Sequence, residues 1–372
     1  MTAPALYLGL ISGTSADGID VALCSFDAQP HLHAALTHPY PEDLRTRILT
    51  LAQGDGRIAL DELGALNAEI AEHFAIAATT LLQRCDRAAS QITALGSHGQ
   101  TVRHRPQQTP PYTLQLGDGN VIAERTGIVT VADFRGRDIA AGGQGAPLAP
   151  AFHAAMLAHD GRARVVLNLG GIANITVLSA DHNAPVRGFD TGPASCLLDA
   201  WAQLQLGTAF DAGGAFGARG KVDAALLERL LGEPYFAAPP PKSTGREVFH
   251  LTWLQQRMAG LQLTPADVQA TLVALTARSI RAAIRTHAPD TRDVLVCGGG
   301  VHNPVLMASI AAELAPCTVA STATVGIDPD FVEAMLFAWL ARERMTGHAS
   351  KNVYTVTGAR GARVLGAVYF GG

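Results

Sequence analysis

Three glycine-rich segments of this 372-residue chain have residue types that suit phosphate binding. They are residues 13–20, the pair Gly170-Gly171 with Asn174, and residues 298–300 with Asn303. Such turns bring backbone N–H groups close to phosphate oxygens. Transfer of a γ-phosphoryl group needs such a cradle, Mg²⁺ and a base beside the nucleophile, and little covalent chemistry from the protein. The segments therefore predict a site for nucleotide phosphates.

Asp190 is the candidate base. The pattern around it predicts that a strand ends at Asp190, that Thr191 and Gly192 form a turn, and that Pro193 lies in the first turn of the next helix. The carboxyl ends of strands are where α/β folds place their ligands. An Asp in this position also commonly caps a helix, and the residues alone leave both roles open.

Other nucleotide-binding patterns fit less well. A dinucleotide fingerprint should open a helix after the first strand, whereas residues 13–18 lie between two predicted strands. No G-x-x-x-x-G-K-[ST] sequence is present, which argues against a P-loop kinase. Either hairpin alone is also compatible with an ordinary tight turn, but two matched hairpins and a third glycine-rich segment favour phosphate binding. His98 and His104 have no third ligand at metal-site spacing.

Composition excludes several classes of protein. Hydrophobic residues make up 48% of the chain, charged residues 16%, and the net charge of −4 comes without a basic run. This balance predicts a globular protein with no nucleic-acid partner. The first residues have no basic region, and no apolar stretch is long enough to span a membrane, so we expect a cytoplasmic protein. Five scattered cysteines indicate neither a disulfide framework nor a structural zinc site.

The elements that must position these residues follow from length and periodicity. The length predicts two domains, one comprising residues 1–135 and about 347–372 and the other residues 136–346. Each domain is expected to begin with a hairpin, at residues 7–23 and 165–178. Residues 294–306 should form a strand, a turn and a helix. Apolar spacing predicts helices at residues 60–84, 197–206, 223–231, 265–287 and 329–345. Prolines predict loops at residues 106–111 and 239–246.

Seven ordered segments run along nearly the whole chain: Gly13-Thr-Ser-Ala-Asp-Gly-Ile-Asp20, Ser97-His-Gly-Gln-Thr101, Val131-Ala-Asp-Phe-Arg135, Asp138-Ile-Ala-Ala-Gly-Gly-Gln-Gly-Ala-Pro147, Asn168-Leu-Gly-Gly-Ile-Ala-Asn174, Phe189-Asp-Thr-Gly-Pro193 and Lys242-Ser-Thr-Gly-Arg-Glu247. Together they resemble the anhydro-N-acetylmuramic acid kinase family. Ala16 and the pair Ala194-Ser195 depart from the family pattern.

The resemblance implies an α/β fold of the two-domain actin-like ATPase type, with an RNase H-like core in each domain and a nucleotide cleft between them. It implies ATP with Mg²⁺, a homodimer, and a bacterial cytoplasmic role in peptidoglycan recycling. The implied reaction opens 1,6-anhydro-N-acetylmuramic acid and phosphorylates O6, giving N-acetylmuramic acid 6-phosphate. Asp190 would deprotonate the water that attacks the anomeric carbon.

Residues and resemblance together assign the two ligand sites. The expected ATP and Mg²⁺ contacts are Gly13, Thr14, Ser15, Ala16, Asp17, Gly18, Ile19, Asp20, Gly170, Gly171, Asn174, Gly298, Gly299, Gly300 and Asn303. The expected sugar contacts are His98, Gln100, Arg135, Asp138, Gln144 and Glu333. Direct protein ligands to the metal are not expected; Asp17 and Asp20 are candidates to orient a hydrated Mg²⁺.

Two alternatives stay open at this point. A kinase for a hexose or a carboxylic acid would share the phosphate hairpins but not the clusters around His98 and Gln144. A non-catalytic ATP-binding switch would carry extra interaction segments or a DNA-binding appendage, and the chain has neither.

Overall fold

The computed structural model describes residues 4–27, 30–158, 161–181 and 183–372. The prediction drawn from the first residues falls partly on Met1–Ala3, which lie outside the described residues. Backbone contacts divide the chain into two units. One runs to Met156 and resumes at Gly326–Gly372, and the other comprises Leu157–Val325. The chain therefore changes unit later than predicted at the first crossing and earlier than predicted at the second.

Strands and helices alternate along both units. The described strands are β1 (Leu6–Ser12), β2 (Gly18–Phe26), β3 (Pro30–Pro39), β4 (Ile92–Arg105), β5 (Tyr112–Leu116), β6 (Thr130–Ala132), β7 (Arg164–Leu169), β8 (Ile172–Leu178), β9 (Arg187–Pro193), β10 (Asp293–Cys297), β11 (Thr318–Ser321) and β12 (Ala367–Tyr369). The described α-helices are α1 (Glu42–Gln53), α2 (Leu60–Arg84), α3 (Gly119–Thr126), α4 (Gly136–Ala140), α5 (Ala149–Leu157), α6 (Ser195–Leu206), α7 (Ala224–Leu231), α8 (Pro234–Ala237), α9 (Leu251–Met258), α10 (Pro265–His287), α11 (Pro304–Leu314), α12 (Val332–Thr346) and α13 (Lys351–Thr357).

The first unit is built on a sheet with the strand order β12-β6-β4-β1-β2-β3, and β5 pairs with β4. Strands β1, β2 and β3 are successive antiparallel neighbours, while β4 is parallel to β1 and β6 is parallel to β4. Leu8 and Leu10 of β1 share a core cluster with Ile70 and Phe74 of α2. Gly9, between them, faces α12. Because successive side chains of a strand point to opposite faces, α2 and α12 cover the two faces of this sheet.

The second unit repeats this design with the order β11-β10-β7-β8-β9. Strands β7, β8 and β9 are antiparallel neighbours, and β10 and β11 are added in parallel on the other side of β7. The long helix α10 lies against the core with Val268, Leu272 and Ile280 wholly or almost wholly buried. A hairpin meander extended by parallel strands, present once in each unit, is the RNase H-like arrangement. The predicted fold class is confirmed; the cleft between the units stays a prediction.

Candidate functional site

The turn between β1 and β2 is the first predicted phosphate loop. In this turn the residue with positive φ is Ala16, at 50°, whereas neither Gly13 nor Gly18 has a positive φ. The backbone N–H of Ala16 donates to the Gly13 carbonyl at 3.1 Å, and Gln100 Nε2 donates to the same oxygen at 3.1 Å. Gln100, predicted as a sugar contact, is fully buried and supports this turn.

The two candidate magnesium-side carboxylates differ in their surroundings. Arg45 Nη2 lies 3.0 Å from Asp17 Oδ1, and the Asp17 side chain is 70% exposed. Asp20 accepts a 2.6 Å hydrogen bond from Thr37 Oγ1. Desolvation, with a smaller contribution from the Asp330 carboxylate, raises the pKa of Asp20 and outweighs the Thr37 hydrogen bond. Asp20 is therefore the better candidate to face a cation, although the described residues contain no cluster of three metal-ligating side chains.

Arg135 and His98 form the centre of the predicted sugar side. Arg135 Nε donates to His98 Nε2 at 3.0 Å, and Arg135 Nη1 donates to the Gly145 carbonyl at 2.7 Å. Burial lowers the pKa of Arg135 to about 10, although the Glu333 and Asp138 carboxylates oppose this. Burial and the Arg135 charge hold the pKa of His98 well below its usual value, so His98 is neutral and can accept this hydrogen bond.

Asp138 shapes the loop that follows α4. Its Oδ2 accepts from the Gly145 N–H at 2.7 Å, its Oδ1 accepts from Thr357 Oγ1 at 2.7 Å, and the residue is fully buried. The Gln144 N–H donates to the Thr357 carbonyl at 2.9 Å, while the Gln144 side chain is exposed. Asp138 thus holds the loop, and Gln144 is free to reach a ligand.

Glu333 lies in the first turn of α12. Its pKa is raised, first by desolvation and then by the Asp20 carboxylate, and the Arg135 guanidinium opposes this. The side chain is nonetheless open to solvent, so its carboxylate is accessible to a ligand. The structure therefore brings Glu333, Arg135 and Asp20 into one electrostatic neighbourhood within the first unit.

A cavity of about 610 Å³ lies within the first unit, and its lining includes Ser97, His98 and Asp133, which belong to polar clusters that the sequence suggests for a sugar pocket. Asp133, at the end of β6, lines it with an unusual φ of 53° for a non-glycine residue and a pKa raised by burial. Strained backbone of this kind is concentrated at functional sites. Polar residues lining the cavity include Asn67, Ser97, His98, Gln115, Asp118 and Asp133.

In the second unit, four residues lie in register across four neighbouring strands. Cys297 of β10 pairs with Asn168 of β7, Asn168 pairs with Asn174 of β8, and Asn174 pairs with Asp190 of β9. Directly paired residues of adjacent strands share a face of the sheet. Asn174 and Asp190, predicted separately for ATP and for catalysis, are thus neighbours, and Asn168 is a candidate that sequence reasoning missed.

The turn Gly170-Gly171 docks on the start of α6. The Gly171 carbonyl accepts from the N–H groups of Ala194 at 3.0 Å and Cys196 at 3.1 Å, and the Gly170 carbonyl accepts from Ser195 at 3.0 Å. Within the described part of the chain, no backbone hydrogen bond engages the N–H of Gly170 or Gly171. These two donors are available to a phosphate, and neither glycine has a positive φ.

Asp190 lies inside a strand, which corrects the predicted local structure. Strand β9 continues to Pro193, because Gly192 and Pro193 still pair with Ala173 and Ile172 of β8. The turn predicted at Thr191-Gly192 and the helix start at Pro193 are wrong. Helix α6 begins at Ser195, its N-cap residue is Ala194, and no side chain caps it. The alternative that Asp190 caps the helix is therefore excluded.

Asp190 is anchored by the segment that the prolines predicted as a loop. Its Oδ2 accepts from the Thr244 N–H at 3.0 Å, and its own N–H donates to the Lys242 carbonyl at 3.2 Å. Burial raises the pKa of Asp190, the Thr244 hydrogen bond opposes this, and the nearby Glu247 charge adds to it. A general base is most effective when its pKa is moved towards the working pH, as here.

The third glycine-rich segment joins β10 to α11 with one short 3₁₀ turn between them. Gly298 has φ of 83°, and a Cβ at this position would overlap Asn168 Oδ1. Asn303 Oδ1 accepts from the Leu306 N–H at 3.0 Å and so caps α11. The local structure therefore requires glycine at position 298 and uses Asn303 as a helix cap. Gly299 faces open space, so a ligand can approach its backbone.

Comparison with known proteins decides the family. The model of a family described as anhydro-N-acetylmuramic acid kinase matches residues 5–371. The chain belongs to the anhydro-N-acetylmuramic acid kinase family. As a member of this kinase family it is a phosphotransferase with an alcohol acceptor, and ATP use follows. The predicted family, activity class and nucleotide are confirmed.

Relatives in the anhydro-N-acetylmuramic acid kinase family match over almost their whole length. A protein of this name from Xanthomonas campestris pv. campestris (strain 8004) is 57% identical over 368 residues, covering 98% of this chain and 97% of the relative. One from Xylella fastidiosa is 53% identical and one from Coxiella burnetii 45% identical, each over 98% of this chain and at least 96% of the relative. A solved ROK family glucokinase from Streptomyces griseus matches at 13% identity and a TM-score of 0.40, over 91% of this chain and 100% of that one.

Within the described residues, no helix is both long and apolar enough to cross a membrane.

Proposed function

We propose that this kinase adds water to C1 of 1,6-anhydro-N-acetylmuramic acid and transfers the γ-phosphoryl group of ATP to O6. The products are N-acetylmuramic acid 6-phosphate and ADP. The observation that carries the proposal is the fixed, half-buried carboxylate of Asp190, with its raised pKa, in a chain of this family.

The chemistry follows from the bridge in the substrate. In an ordinary sugar kinase the base removes a proton from the accepting hydroxyl, but O6 of the anhydro-sugar carries none. Asp190 instead takes a proton from water, and the water oxygen forms a bond to C1. The C1–O6 bond breaks, O6 attacks the γ-phosphorus, and ADP leaves. Ring opening and phosphorylation are therefore one coupled event.

The first unit supplies the groups proposed to hold the sugar. His98, Arg135, Gln144 and Glu333 offer a neutral imidazole, a cation, an exposed amide and an accessible carboxylate. Asp138 and Gln100 act indirectly, since their polar atoms hold the Gly145 loop and the Gly13 turn. This proposal keeps the predicted substrate set but divides it into contacting and supporting residues.

The phosphates of ATP are proposed to bind the free N–H groups of the turns at residues 13–17 and 170–171. Mg²⁺, when bound, neutralises phosphate charge during transfer. Asp20 is the described carboxylate that best fits an orienting role, because a nearby cation would relieve its unfavourable surroundings. The homodimer, the bacterial cytoplasmic location and the role in peptidoglycan recycling belong to the same proposal and rest on the family resemblance.

Isotope labelling tests the coupled mechanism. In ¹⁸O-water with ATP and the anhydro-sugar, we expect one labelled oxygen in the sugar phosphate, at C1, and none in its phosphate group. Early quenching and fragmentation mass spectrometry locate the label. Product incubated in ¹⁸O-water without enzyme corrects for exchange at the anomeric carbon. Label in the phosphate, or ring opening at a similar rate without ATP, would contradict the mechanism.

Gly171→Val should weaken ATP binding while the protein stays folded. A Cβ at Gly171 would meet only Cys196 Cβ, at an ordinary 3.8 Å, so the turn has room for a side chain. The branched side chain would instead obstruct the approach of phosphate to the free N–H groups. We expect at least about a tenfold loss of affinity for a non-hydrolysable ATP analogue in calorimetric titration, the size of one lost charge-assisted hydrogen bond.

The matched control for Gly171→Val is Gly232→Val, also in the second unit. Gly232 has a φ of −70°, and a Cβ added there would make only ordinary contacts, the nearest with the Arg229 carbonyl oxygen at 3.5 Å. This variant should bind the analogue like the natural protein. Equal affinity in both variants would remove the Gly170-Gly171 turn from the nucleotide site.

A further inference from the structure

Three atoms of Asp190 are hydrogen-bonded by residues 235–244, a stretch of chain that has no role in the proposed mechanism. Thr244 donates its N–H to Oδ2 at 3.0 Å, and the Lys242 carbonyl accepts from the Asp190 N–H at 3.2 Å. The Tyr235 hydroxyl donates to the Asp190 carbonyl at 2.7 Å. A plain surface connection would not be expected to engage the backbone N–H, backbone carbonyl and carboxylate of the same residue.

This stretch is itself fastened to the sheet. The Lys242 ammonium donates to the carbonyls of Tyr235 and Phe236, both at 3.1 Å, and lies 4.6 Å from the Tyr235 ring centroid. The Phe236 ring lies against the backbone next to the base, since a Cβ on Gly192 would be 2.6 Å from Phe236 Cε1. The lysine therefore joins the two ends of the stretch.

Glu247 adds a charge to this arrangement. Its carboxylate folds back over Gly245, where a Cβ would overlap Glu247 Oε2. Gly245 directly follows Thr244, and from there the Glu247 charge acts on Asp190 and raises the pKa of its carboxyl. The other groups around Asp190 are the ammonium of Lys242, the phenol of Tyr235, the neutral Asn174 of β8 and, near Gly192, the neutral Ser279 of α10. Burial and the Asp190 charge raise the pKa of Tyr235, so the phenol remains a donor.

We propose that Tyr235, Lys242, Thr244 and Glu247 form a clamp that positions Asp190 as the base, with Thr244 and Glu247 acting on its carboxylate in opposite senses. This inference rests on the proposed function of Asp190. The Thr244 N–H favours the ionised carboxylate, because it donates a hydrogen bond to it. The Glu247 charge favours the protonated form, because like charges repel. These four are positioning residues, since the proposal gives none of them a contact with the reacting atoms.

The test compares the pH profiles of kcat/KM. A base works only when ionised, so activity falls as the pH drops through its pKa. Thr244→Pro removes the N–H donor and should move this acid limb up by about one pH unit, the size of one hydrogen bond to a charged group. Glu247→Gln removes the repelling charge and should move the limb down. Tyr235→Phe should lower kcat without moving the limb, because its hydrogen bond goes to the backbone.

Two controls isolate the Thr244 N–H. Thr244→Ala keeps the N–H, and Ser243→Pro places a proline one residue earlier, at an exposed position; neither should move the limb. The Asp190 carboxyl is also titrated directly, by ¹³C NMR of protein labelled at aspartate, with Asp190→Asn to assign the signal. Its midpoint should shift in the same direction as the limb in Thr244→Pro and Glu247→Gln.

The outcomes separate the clamp from the proposed function. An Asp190 titration that Thr244→Pro and Glu247→Gln leave unchanged, or move in the same direction, would overturn the clamp even if Asp190 is the base. The two variants could instead shift the Asp190 titration in opposite directions while the pH profile of kcat/KM stays unchanged. The clamp would then act on the carboxylate as proposed, but Asp190 would not be the base. If Thr244→Pro does not fold, Glu247→Gln still tests the clamp, because an Asp190 titration midpoint that does not move down in this variant would contradict it.

Discussion

Asp190→Asn should leave a folded protein that still binds nucleotide, while turnover of the anhydro-sugar falls about 10² to 10⁴-fold, the usual contribution of a general base. Asparagine has nearly the same shape, and its side-chain oxygen can still accept from the Thr244 N–H. The backbone bonds of Asp190 to Lys242 and Tyr235 do not involve the side chain. What the variant loses is the ability to take a proton from water. A coupled assay of ADP release measures the effect.

Asp199→Asn is the matched control for this prediction. Asp199, on α6, is another aspartate of the second unit whose pKa burial raises, and its carboxylate accepts a hydrogen bond from Ser195. Its replacement should change turnover by less than about threefold, because asparagine has nearly the same shape, can still accept from Ser195, and removes no group that the mechanism uses. Turnover of Asp190→Asn near that of the natural protein would remove this carboxylate from the mechanism. Similar losses in both variants would point to a general effect of altered charge.

Helices with strong local signals were predictable from the sequence. Helices α2 and α10 begin and end at the predicted residues. For α10 the signals are all local: Thr264 caps the helix by accepting from Asp267 N–H, and Pro265 occupies the first turn. Both hairpins were also recovered, since apolar strands flanking a small-residue turn specify one another within a few residues.

The roles of individual site residues were not predictable, because they depend on partners far away in the chain. Thr357, which donates to Asp138, is separated from it by 219 positions, and Thr244 is separated from Asp190 by 54. Gln100 reaches the Gly13 carbonyl across 87 positions. A polar residue in a motif can contact a ligand or hold the residue that does, and sequence alone does not separate the two. The same limit explains the wrong helix start predicted at Pro193, because Pro193 pairs with Ile172 of β8 and so remains in strand β9.

The point at which the chain returns to the first unit, Gly326 rather than about residue 347, also depends on contacts between residues far apart in the chain. The predicted bounds place α12 in the second unit, but it packs on β1 and β4 of the first. The sequence signal for this contact is a glycine inside each of two strands, Gly9 of β1 and Gly96 of β4. A glycine within a strand often marks a close approach of another backbone.

Gly9→Ala should destabilise the first unit by about 3 kcal/mol, the upper part of the range for overpacking a close contact. A Cβ on Gly9 would overlap the carbonyl oxygen of Ala334 and the backbone nitrogen of Ala338, and one on Gly96 would overlap the Phe337 carbonyl. These are backbone atoms of α12 and cannot rotate aside as a flexible side chain could. The helix must move away from the sheet, and Glu333, in its first turn, moves with it. We therefore expect a lower unfolding temperature and a raised KM for the sugar together.

Gly64→Ala is the control, with an expected change of opposite sign. Gly64 lies in α2 of the same unit, is exposed, and has no atom within 4 Å of an added Cβ. Alanine should stabilise the protein by up to about 1 kcal/mol, because glycine is the poorer helix former. In a domain of this size, each kcal/mol moves the unfolding temperature by about 2–4 °C, so calorimetry should separate the two variants by roughly 8–16 °C. An unfolding temperature for Gly9→Ala equal to that of the natural protein would mean that α12 does not rest on β1 as the structure has it. A large stability loss without a change in KM would instead separate the packing of α12 from the position of Glu333.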